Sequence, residues 1–204
     1  MKVYHLINGL LRVNTYFLIN DNSQAVVIDC GENYKKVKQF EKDYNVKIEA
    51  VLLTHAHFDH SGCARKLQED GAKIYIGKKD ALKLTNDGNL GSRFGRRFEA
   101  LKPDFELVDG QKFCVCSFDF TVIETPGHTD GSICYVLDDM IFSGDTLFFE
   151  CIGRSDFPTG DKDQLINSVK KLFNLKGEYN VYPGHQEFTT LSHERKYNLF
   201  VDYD

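Results

Sequence analysis

The sequence predicts an α/β protein in which two central mixed β-sheets pack face to face and are flanked by helices, an αββα sandwich. Three observations favour this fold class. The first half of the chain contains strand-like segments followed by amphipathic helices, and the second half repeats that order. The run "IEAVLLT" at residues 48–54 is continuously apolar, which is typical of a strand buried on both faces. We expect one domain over residues 1–204.

The first half of the chain is predicted to form five strands and two helices. The strands cover residues 2–7, 14–20, 24–30, 48–54 and 72–77. The first helix covers residues 32–46, where apolar and aromatic residues recur at helical spacing on one side. The second covers residues 61–71 and ends at Gly71, a residue type that commonly stops helices.

The second half is predicted to form a similar set of elements. Its strands and one hairpin fall within residues 105–128, 132–148 and 179–185. Its helices cover residues 161–175 and 191–200. Asp161 is a suitable N-cap for the first of these helices. Residues 78–104, between the two halves, are polar and irregular.

Composition and charge exclude several classes of function. The formal net charge of −5 argues against a general nucleic-acid binder, which usually carries a basic surplus. No stretch approaches the roughly 18 apolar residues of a membrane span, and polar residues interrupt the N-terminal apolar runs, so neither a membrane partner nor a signal peptide is expected. Cytoplasmic residence is the default expectation. The six cysteines are expected to be buried, reduced thiols.

The segment "THAHFDH" at residues 54–60 places three histidines and an aspartate directly after the buried strand. His55 and His57 are two apart in extended chain, so both imidazoles project the same way. Asp59 and His60 follow a turn and point to a neighbouring location. Two such pairs suit two adjacent metal ions, and imidazole with carboxylate suits zinc, iron or manganese. The alternative is a polar turn that caps the next helix.

Three further segments end predicted strands with a potential metal ligand beside a glycine. They are "TPGH" with His128, "SGD" with Asp145 and "YPGH" with His185. Glycine lets the backbone turn sharply and approach a site closely. Four such placements at the carboxyl ends of apolar strands favour a metal centre over a capping turn.

The order HxHxDH, lone histidine, lone aspartate, lone histidine resembles the metallo-β-lactamase superfamily. Within it, "TPGHTDGSICY", "GDTLFFECIGRSDFPTGD" and "YPGHQEFTT" resemble the glyoxalase II-like hydrolases, or hydroxyacylglutathione hydrolases, especially the short single-domain type. The resemblance covers essentially the whole chain and implies the metallo-β-lactamase fold. It also implies two divalent metal ions as cofactors, zinc by first expectation, with iron or manganese as alternatives.

The resemblance implies a role for each ligand. The first ion would be bound by His55, His57 and His128, the second by Asp59, His60 and His185, and Asp145 would bridge them. Two divalent ions about 3.5–4 Å apart can share a water and lower its pKa to roughly 7, and the hydroxide then attacks a carbonyl carbon. Asp59 is also expected to orient that hydroxide. The implied activity is hydrolysis of a small thioester such as S-lactoylglutathione, whose thiolate, with a pKa near 8.5, leaves without a strong acid.

Other activities remain open at this stage. "GRSDFPTG" also resembles the persulfide dioxygenases, which hold a single iron through two histidines and an aspartate. Asp145 stands where many β-lactamases carry cysteine, so the antibiotic-hydrolysing branch is not expected. A C-terminal helical domain like that of true glyoxalase II enzymes is not expected, which leaves glutathione specificity open. The expected partner is a small-molecule thioester, for a monomer or homodimer.

Three features around the ligands carry further predictions. Asp29 ends a strand, resembles a family aspartate near the metal ions, and is predicted to contact a ligand; a plain turn residue is the alternative. Arg154 lies where glyoxalase II enzymes hold the carboxylate of the thiol, so it is predicted to bind substrate, with an ion pair to Asp156 as the alternative. The "RFGRRF" segment at residues 93–98 is predicted to be a solvated loop, and the alternative is a lip over the active site.

Overall fold

Two six-stranded sheets form the centre of the structure, a computed structural model that describes residues 1–202. The first sheet consists, in spatial order, of β1 (Lys2–Asn8), β2 (Val13–Ile19), β3 (Gln24–Ile28), β4 (Lys47–Leu53), β5 (Lys73–Gly77) and β6 (Phe105–Leu107). The second consists, in spatial order from one edge to the other, of β7 (Lys112–Val115), β8 (Phe118–Glu124), β9 (Ile133–Leu137), β10 (Met140–Gly144), β13 (Asn180–Pro183) and β14 (Thr189–Thr190). A short ribbon joins β11 (Leu147–Phe148) to β12 (Cys151–Ile152). Both large sheets are mixed, because β3 to β6 and the pair β10 and β13 run parallel while the other pairs are antiparallel.

Helices cover the outer faces of both sheets, which confirms the predicted αββα sandwich. They are α1 (Tyr34–Asp43), the single turn α2 (Phe58–Ser61), α3 (Ala64–Glu69), α4 (Lys162–Phe173) and α5 (Leu191–Tyr197). Val37 of α1 and Leu67 of α3 are buried against the first sheet, and Val169 of α4 is buried against the second. A third apolar layer lies between the sheets. The predicted N-cap is confirmed, because the Asp161 side chain accepts the amide hydrogen of Gln164.

Local structure departs from the prediction at three places. The helix predicted over residues 61–71 begins only at Ala64, since the ligand-bearing turn α2 occupies the preceding residues. The irregular segment contains three short 3₁₀ turns, Ala81–Thr85, Asp87–Asn89 and Gly91–Phe94. The prediction that all cysteines are buried is wrong: Cys114 is exposed, because β7 is an edge strand. All six thiols are free, and no helix within residues 1–202 has the length and apolar character needed to span a bilayer.

Two buried tyrosines tie the sheets together where the chain leaves them. Tyr135 of β9 donates its hydroxyl to the carbonyl oxygen of Leu53, the last residue of β4, at 2.9 Å. Tyr16 of β2 donates to the carbonyl oxygen of Pro183, the last residue of β13, at 2.6 Å. Each bond crosses from one sheet to the other, so the ends of β4 and β13 are held at a fixed separation.

Removing one of these cross-sheet bonds is expected to lower stability measurably. Tyr135→Phe keeps the ring but leaves the Leu53 carbonyl without that donor, so the free energy of unfolding should fall by about 1 kcal/mol in urea denaturation. Tyr182→Phe is the matched control, because Tyr182 is a half-buried residue whose hydroxyl makes no hydrogen bond within residues 1–202. Equal losses in the two variants would contradict the proposed role of the cross-sheet bond.

Candidate metal centre

Seven predicted ligands converge at one edge of the two sheets, where four strands end. The cluster at residues 55–60 follows β4, and His128 follows β8 across a short turn. Asp145 comes directly after β10, and His185 follows β13. Gly184 is required for this approach, because a Cβ there would lie 2.4 Å from Asp145 Oδ1. Strands from both sheets therefore deliver their side chains to one place.

The converging side chains form three overlapping groups, each with its ligand atoms within 4.8 Å of one another. We call His55, His57 and His128 the first group, Asp59, His60 and His185 the second group, and His55, His60 and Asp145 the shared group. His57 Nδ1 lies 2.9 Å from His128 Nε2 in the first group. In the second group, His185 Nε2 lies 3.3 Å from Asp59 Oδ2 and from His60 Nε2. Asp145 stands between the groups, with its oxygens 3.3 Å from His60 Nε2 and 3.5 Å from His128 Nε2.

Several imidazoles are held through the nitrogen that faces away from the cluster. His128 Nδ1 donates to the carbonyl oxygen of Arg154 at 2.7 Å, and His60 Nδ1 donates to Asp29 Oδ2 at 2.8 Å. His55 Nδ1 lies 3.1 Å from the hydroxyl of Thr54. A donor role for the outer nitrogen leaves the inner nitrogen with a lone pair, which is how histidines that bind metals are oriented.

The first group is electrostatically suited to neutral imidazoles. Burial, helped by the imidazole of His128, lowers the pKa of His57 to about 3. Burial also lowers the pKa of His55 well below its ordinary value, and the neighbouring imidazoles add to this effect. Both rings are therefore uncharged at neutral pH, which is the protonation state that binds a metal ion.

The second group and Asp145 form a compact set of opposite charges. Burial disfavours a charge on His60, but the surrounding carboxylates, above all Asp145, outweigh it and raise the pKa of His60 well above its usual range. Burial likewise disfavours the ionised form of Asp145, but the imidazoles of His185 and His60 hold its pKa well below the ordinary value. A cation bound here would replace protons that the imidazoles otherwise carry.

Two buried atoms show that a cation suits the cluster. His55 Nε2 and Asp145 Oδ1 have no hydrogen-bond partner within residues 1–202. An unsatisfied buried polar atom costs about 1–3 kcal/mol, and more when the group is charged. Both atoms belong to residues of the shared group. The donor set of neutral imidazole and carboxylate suits divalent ions such as zinc, iron or manganese.

A cavity of about 430 Å³ opens above the cluster. Its floor includes His57, Asp59, His128, Asp145 and His185. Its walls are mostly apolar and include Leu11, Phe58, Leu90, Phe94, Phe148, Ile152 and Phe157. The ring of Phe94 lies 5.2 Å from the ring of Phe58 and lines this cavity, as in the alternative of a lip. Phe94 is nevertheless 44% exposed, and the arginines of the segment are exposed too, as in the predicted solvated loop.

Asp29 and Arg154 lie next to the cluster in different ways. Asp29 accepts hydrogen bonds from the amide and hydroxyl of Thr54 at 2.9 and 2.7 Å, in addition to His60. The guanidinium of Arg154 lines the cavity, pairs with Asp156 through two bonds of 2.7 and 2.6 Å, and lies 3.9 Å from the ring centroid of Phe157. The ion pair with Asp156, the alternative expected for Arg154 from the sequence, is therefore present.

Two residues that hold the ligand loops are not predicted from the sequence. Asn14 of β2 donates to the carbonyl oxygens of Pro183 and Gln186 at 3.0 Å, on both sides of His185. Asp80 accepts the amide hydrogen of Ala56, between the first two histidines, at 2.8 Å. Neither residue belongs to a recognisable motif, and their partners are distant in sequence, so the sequence offered no signal for them.

Comparison with known proteins agrees with this geometry. The family model of the metallo-beta-lactamase superfamily matches residues 8–185. A probable metallo-hydrolase of Streptococcus pyogenes serotype M6 is 34% identical, covering 98% of this chain and 90% of the relative. The hydroxyacylglutathione hydrolase GloC of Haemophilus influenzae is 32% identical, covering 93% of this chain and 92% of the relative.

Solved structures extend the similarity to the backbone. The BLEG-1 B3 metallo-beta-lactamase superposes with a TM-score of 0.92 at 33% identity, covering 98% of this chain and 99% of the other. TTHA1623, solved in a di-iron-bound form, superposes with a TM-score of 0.87 at 30% identity, covering 97% and 100%. With the family match spanning most of its length, the chain belongs to the metallo-β-lactamase superfamily.

Proposed function

We propose that this protein hydrolyses small thioesters with the help of two bound divalent metal ions. We expect both ions to be zinc. The observation that carries the proposal is the pair of ligand groups joined by Asp145 at the floor of an apolar cavity. The similarity to the hydroxyacylglutathione hydrolase GloC supports the same substrate class.

Each ligand side chain has a role in this proposal. The first group would hold one ion, the second group the other, and the carboxylate of Asp145 would reach both. Divalent ions in such a site acidify a water molecule to near-neutral pKa and polarise a carbonyl oxygen. Asp59 faces the cavity, where its carboxylate can accept a hydrogen bond from the attacking water and orient it.

The chemistry of the cavity favours a leaving group that needs no proton. Apart from the ligands, the titratable side chains that line it within the described part of the chain are Arg154 and Cys151. An arginine does not release its proton near neutral pH, because its pKa exceeds about 12. A thiolate with a pKa near 8.5 departs unprotonated, whereas an amine does not. A thioester is therefore better suited to this cavity than an unactivated amide.

A persulfide dioxygenase is the second candidate, and one observation favours it. The second group combines two histidines with one carboxylate, which is the donor set of many mononuclear non-haem iron oxygenases. A single occupied site would support this activity, and two occupied sites would support the hydrolase.

Substitution of the ligands should separate their roles. Asp145→Ala is expected to abolish binding of both ions, because its carboxylate lies between the groups, while His57→Ala removes only a first-group ligand and should lower the metal content by about one ion per chain. Both variants should lose more than about 100-fold in activity, since even residues behind metal ligands contribute 10–100-fold. Metal content is measured by plasma emission spectrometry after gel filtration.

His193→Ala is the matched control for these variants. This histidine lies in α5 and pairs with Glu150 at 2.9 Å, outside the three ligand groups. Its metal content and activity should equal those of the unmodified protein. Full metal content and activity in Asp145→Ala would rule out the assigned centre.

The substrate class is tested by three parallel assays on protein of known metal content. We expect loss of S-lactoylglutathione without oxygen uptake. Oxygen uptake that depends on glutathione persulfide, with one iron per chain, would instead establish the dioxygenase. Nitrocefin is the third substrate, because the similar BLEG-1 protein is named a metallo-beta-lactamase; turnover of nitrocefin faster than of the thioester would contradict the proposed specificity.

Arg154 is predicted to contact the carboxylates of the thiol at the cavity mouth. Arg154→Met should raise KM for S-lactoylglutathione about 2–5-fold at unchanged kcat, because exposed ion pairs contribute at most about 1 kcal/mol. Asp156→Asn should lower KM, since it frees the guanidinium from its present partner. Changes in KM of opposite sign in the two variants would indicate that Arg154 binds substrate. If the ion pair were only structural, both variants should change KM in the same direction.

A further inference from the structure

Asp80 is a buried carboxylate that connects the two loops carrying the first group. It follows β5, and its side chain has no exposed surface. Its Oδ2 accepts the amide hydrogen of Ala56, which separates the first two histidines of the cluster, at 2.8 Å. Its two oxygens accept the hydroxyl of Thr129, which directly follows His128, at 3.0 and 3.1 Å. One carboxylate thus touches both ligand-bearing loops.

The charge of Asp80 is balanced inside the protein. The ammonium group of Lys83 contacts both Asp80 and Asp130, and its side chain is only 11% exposed. Burial acts to lower the pKa of Lys83, but the carboxylates of Asp80 and Asp130 outweigh it and raise the pKa. Lys83 therefore remains charged, and an ionised Asp80 is a stronger hydrogen-bond acceptor than a neutral side chain would be.

Apart from the ion pair with Lys83, the side-chain contacts of Asp80 are made to the ligand loops rather than to its own segment. Its side chain makes no capping hydrogen bond to the 3₁₀ turn that begins at Ala81. Gly131 makes the approach of the His128 loop possible, because a Cβ there would lie 2.4 Å from Asp80 Oδ1 and from the backbone nitrogen of Asp80. The side chain also lies outside the cavity, so it does not meet substrate.

We propose that Asp80 is a positioning residue that sets the spacing of the first group and leaves the second group unaffected. This role of Asp80 rests on the proposed metal site. The second group has separate anchors: Asp29 holds His60, and Asn14 holds the loop of His185. Removing the charge of Asp80 should therefore weaken only one of the two metal sites.

Variants that retain one group make this selectivity measurable. His185→Ala removes a ligand of the second group and keeps the first intact, and His57→Ala does the reverse. Asp80→Asn keeps the shape of the side chain but removes its charge. Titration with cobalt(II) should show affinity about 10–100-fold weaker when Asp80→Asn is added to His185→Ala, with an altered visible absorption spectrum. Added to His57→Ala, it should leave affinity and spectrum unchanged.

Asp104→Asn is the matched control in both backgrounds. Its carboxylate likewise accepts a backbone amide, that of Ile74 at 3.0 Å, and a lysine, Lys73 at 2.8 Å, but none of its partners belongs to a ligand loop. It should leave cobalt binding unchanged in both. Thermal unfolding in EDTA measures the stability of each variant separately from metal binding.

The outcomes distinguish the inference from the proposed function. No weakening by Asp80→Asn, or equal weakening in both backgrounds, would overturn the positioning role. An unmodified protein that binds no divalent metal would overturn the proposed function instead. If Asp80→Asn does not fold, Thr129→Val carries the test, since it removes one donor to Asp80 and should weaken the first site alone.

Discussion

Carboxylates are buried at the edge where the two sheets meet, and each of them needs a partner for its charge. An ionised carboxylate without partners in such a place would cost several kcal/mol. Asp29 and Asp80 are balanced within the chain, by a histidine and by a lysine, together with threonine hydroxyls and backbone amides. Asp145 differs from them, because the imidazoles of the ligands themselves balance its charge and its Oδ1 makes no hydrogen bond within residues 1–202. A divalent cation can replace the protons of those imidazoles, which makes the cluster suitable for cations.

The carboxylates of Asp29 and Asp80 also accept hydrogen bonds from backbone amides that follow β4. The chain leaves the sheet after Leu53, so the following amides lose their ladder partners. Asp29 accepts the amide of Thr54, and Asp80 accepts the amide of Ala56. The backbone is therefore fixed on both sides of His55 by side chains that come from two other strand ends. The same hydrogen bonds therefore satisfy the backbone amides after β4 and hold His55 in position.

Much of the fold and the ligand cluster could be predicted because the signals are local. The periodicity of strands and helices can be recognised within each segment, and the histidines and aspartate of "THAHFDH" are residue types that commonly bind metal ions. The supporting residues could not be found in this way. Asp80 in "GKKDA" has the composition of a solvated turn, and its partner Ala56 is 24 positions away. Asn14 reaches a carbonyl 169 positions away. Phe94 sits among arginines, yet its ring faces Phe58, a contact that only the tertiary fold creates.

The electrostatics of the cavity mouth bear on which part of a substrate is recognised. Arg154 is more than half exposed and already satisfied by Asp156, so an anionic substrate must compete with a carboxylate for it. Solvent screens such an exposed pair, so the competition costs little free energy but also contributes little to substrate selectivity. The aromatic and aliphatic walls, by contrast, offer apolar surface beside the cluster, and burial of apolar substrate surface contributes about 25 cal/mol per Å². If the proposed thioesters are the substrates, selectivity among them should therefore depend more on the shape and apolar character of the group that lies against Phe58, Phe94 and Phe157 than on the charge of the thiol.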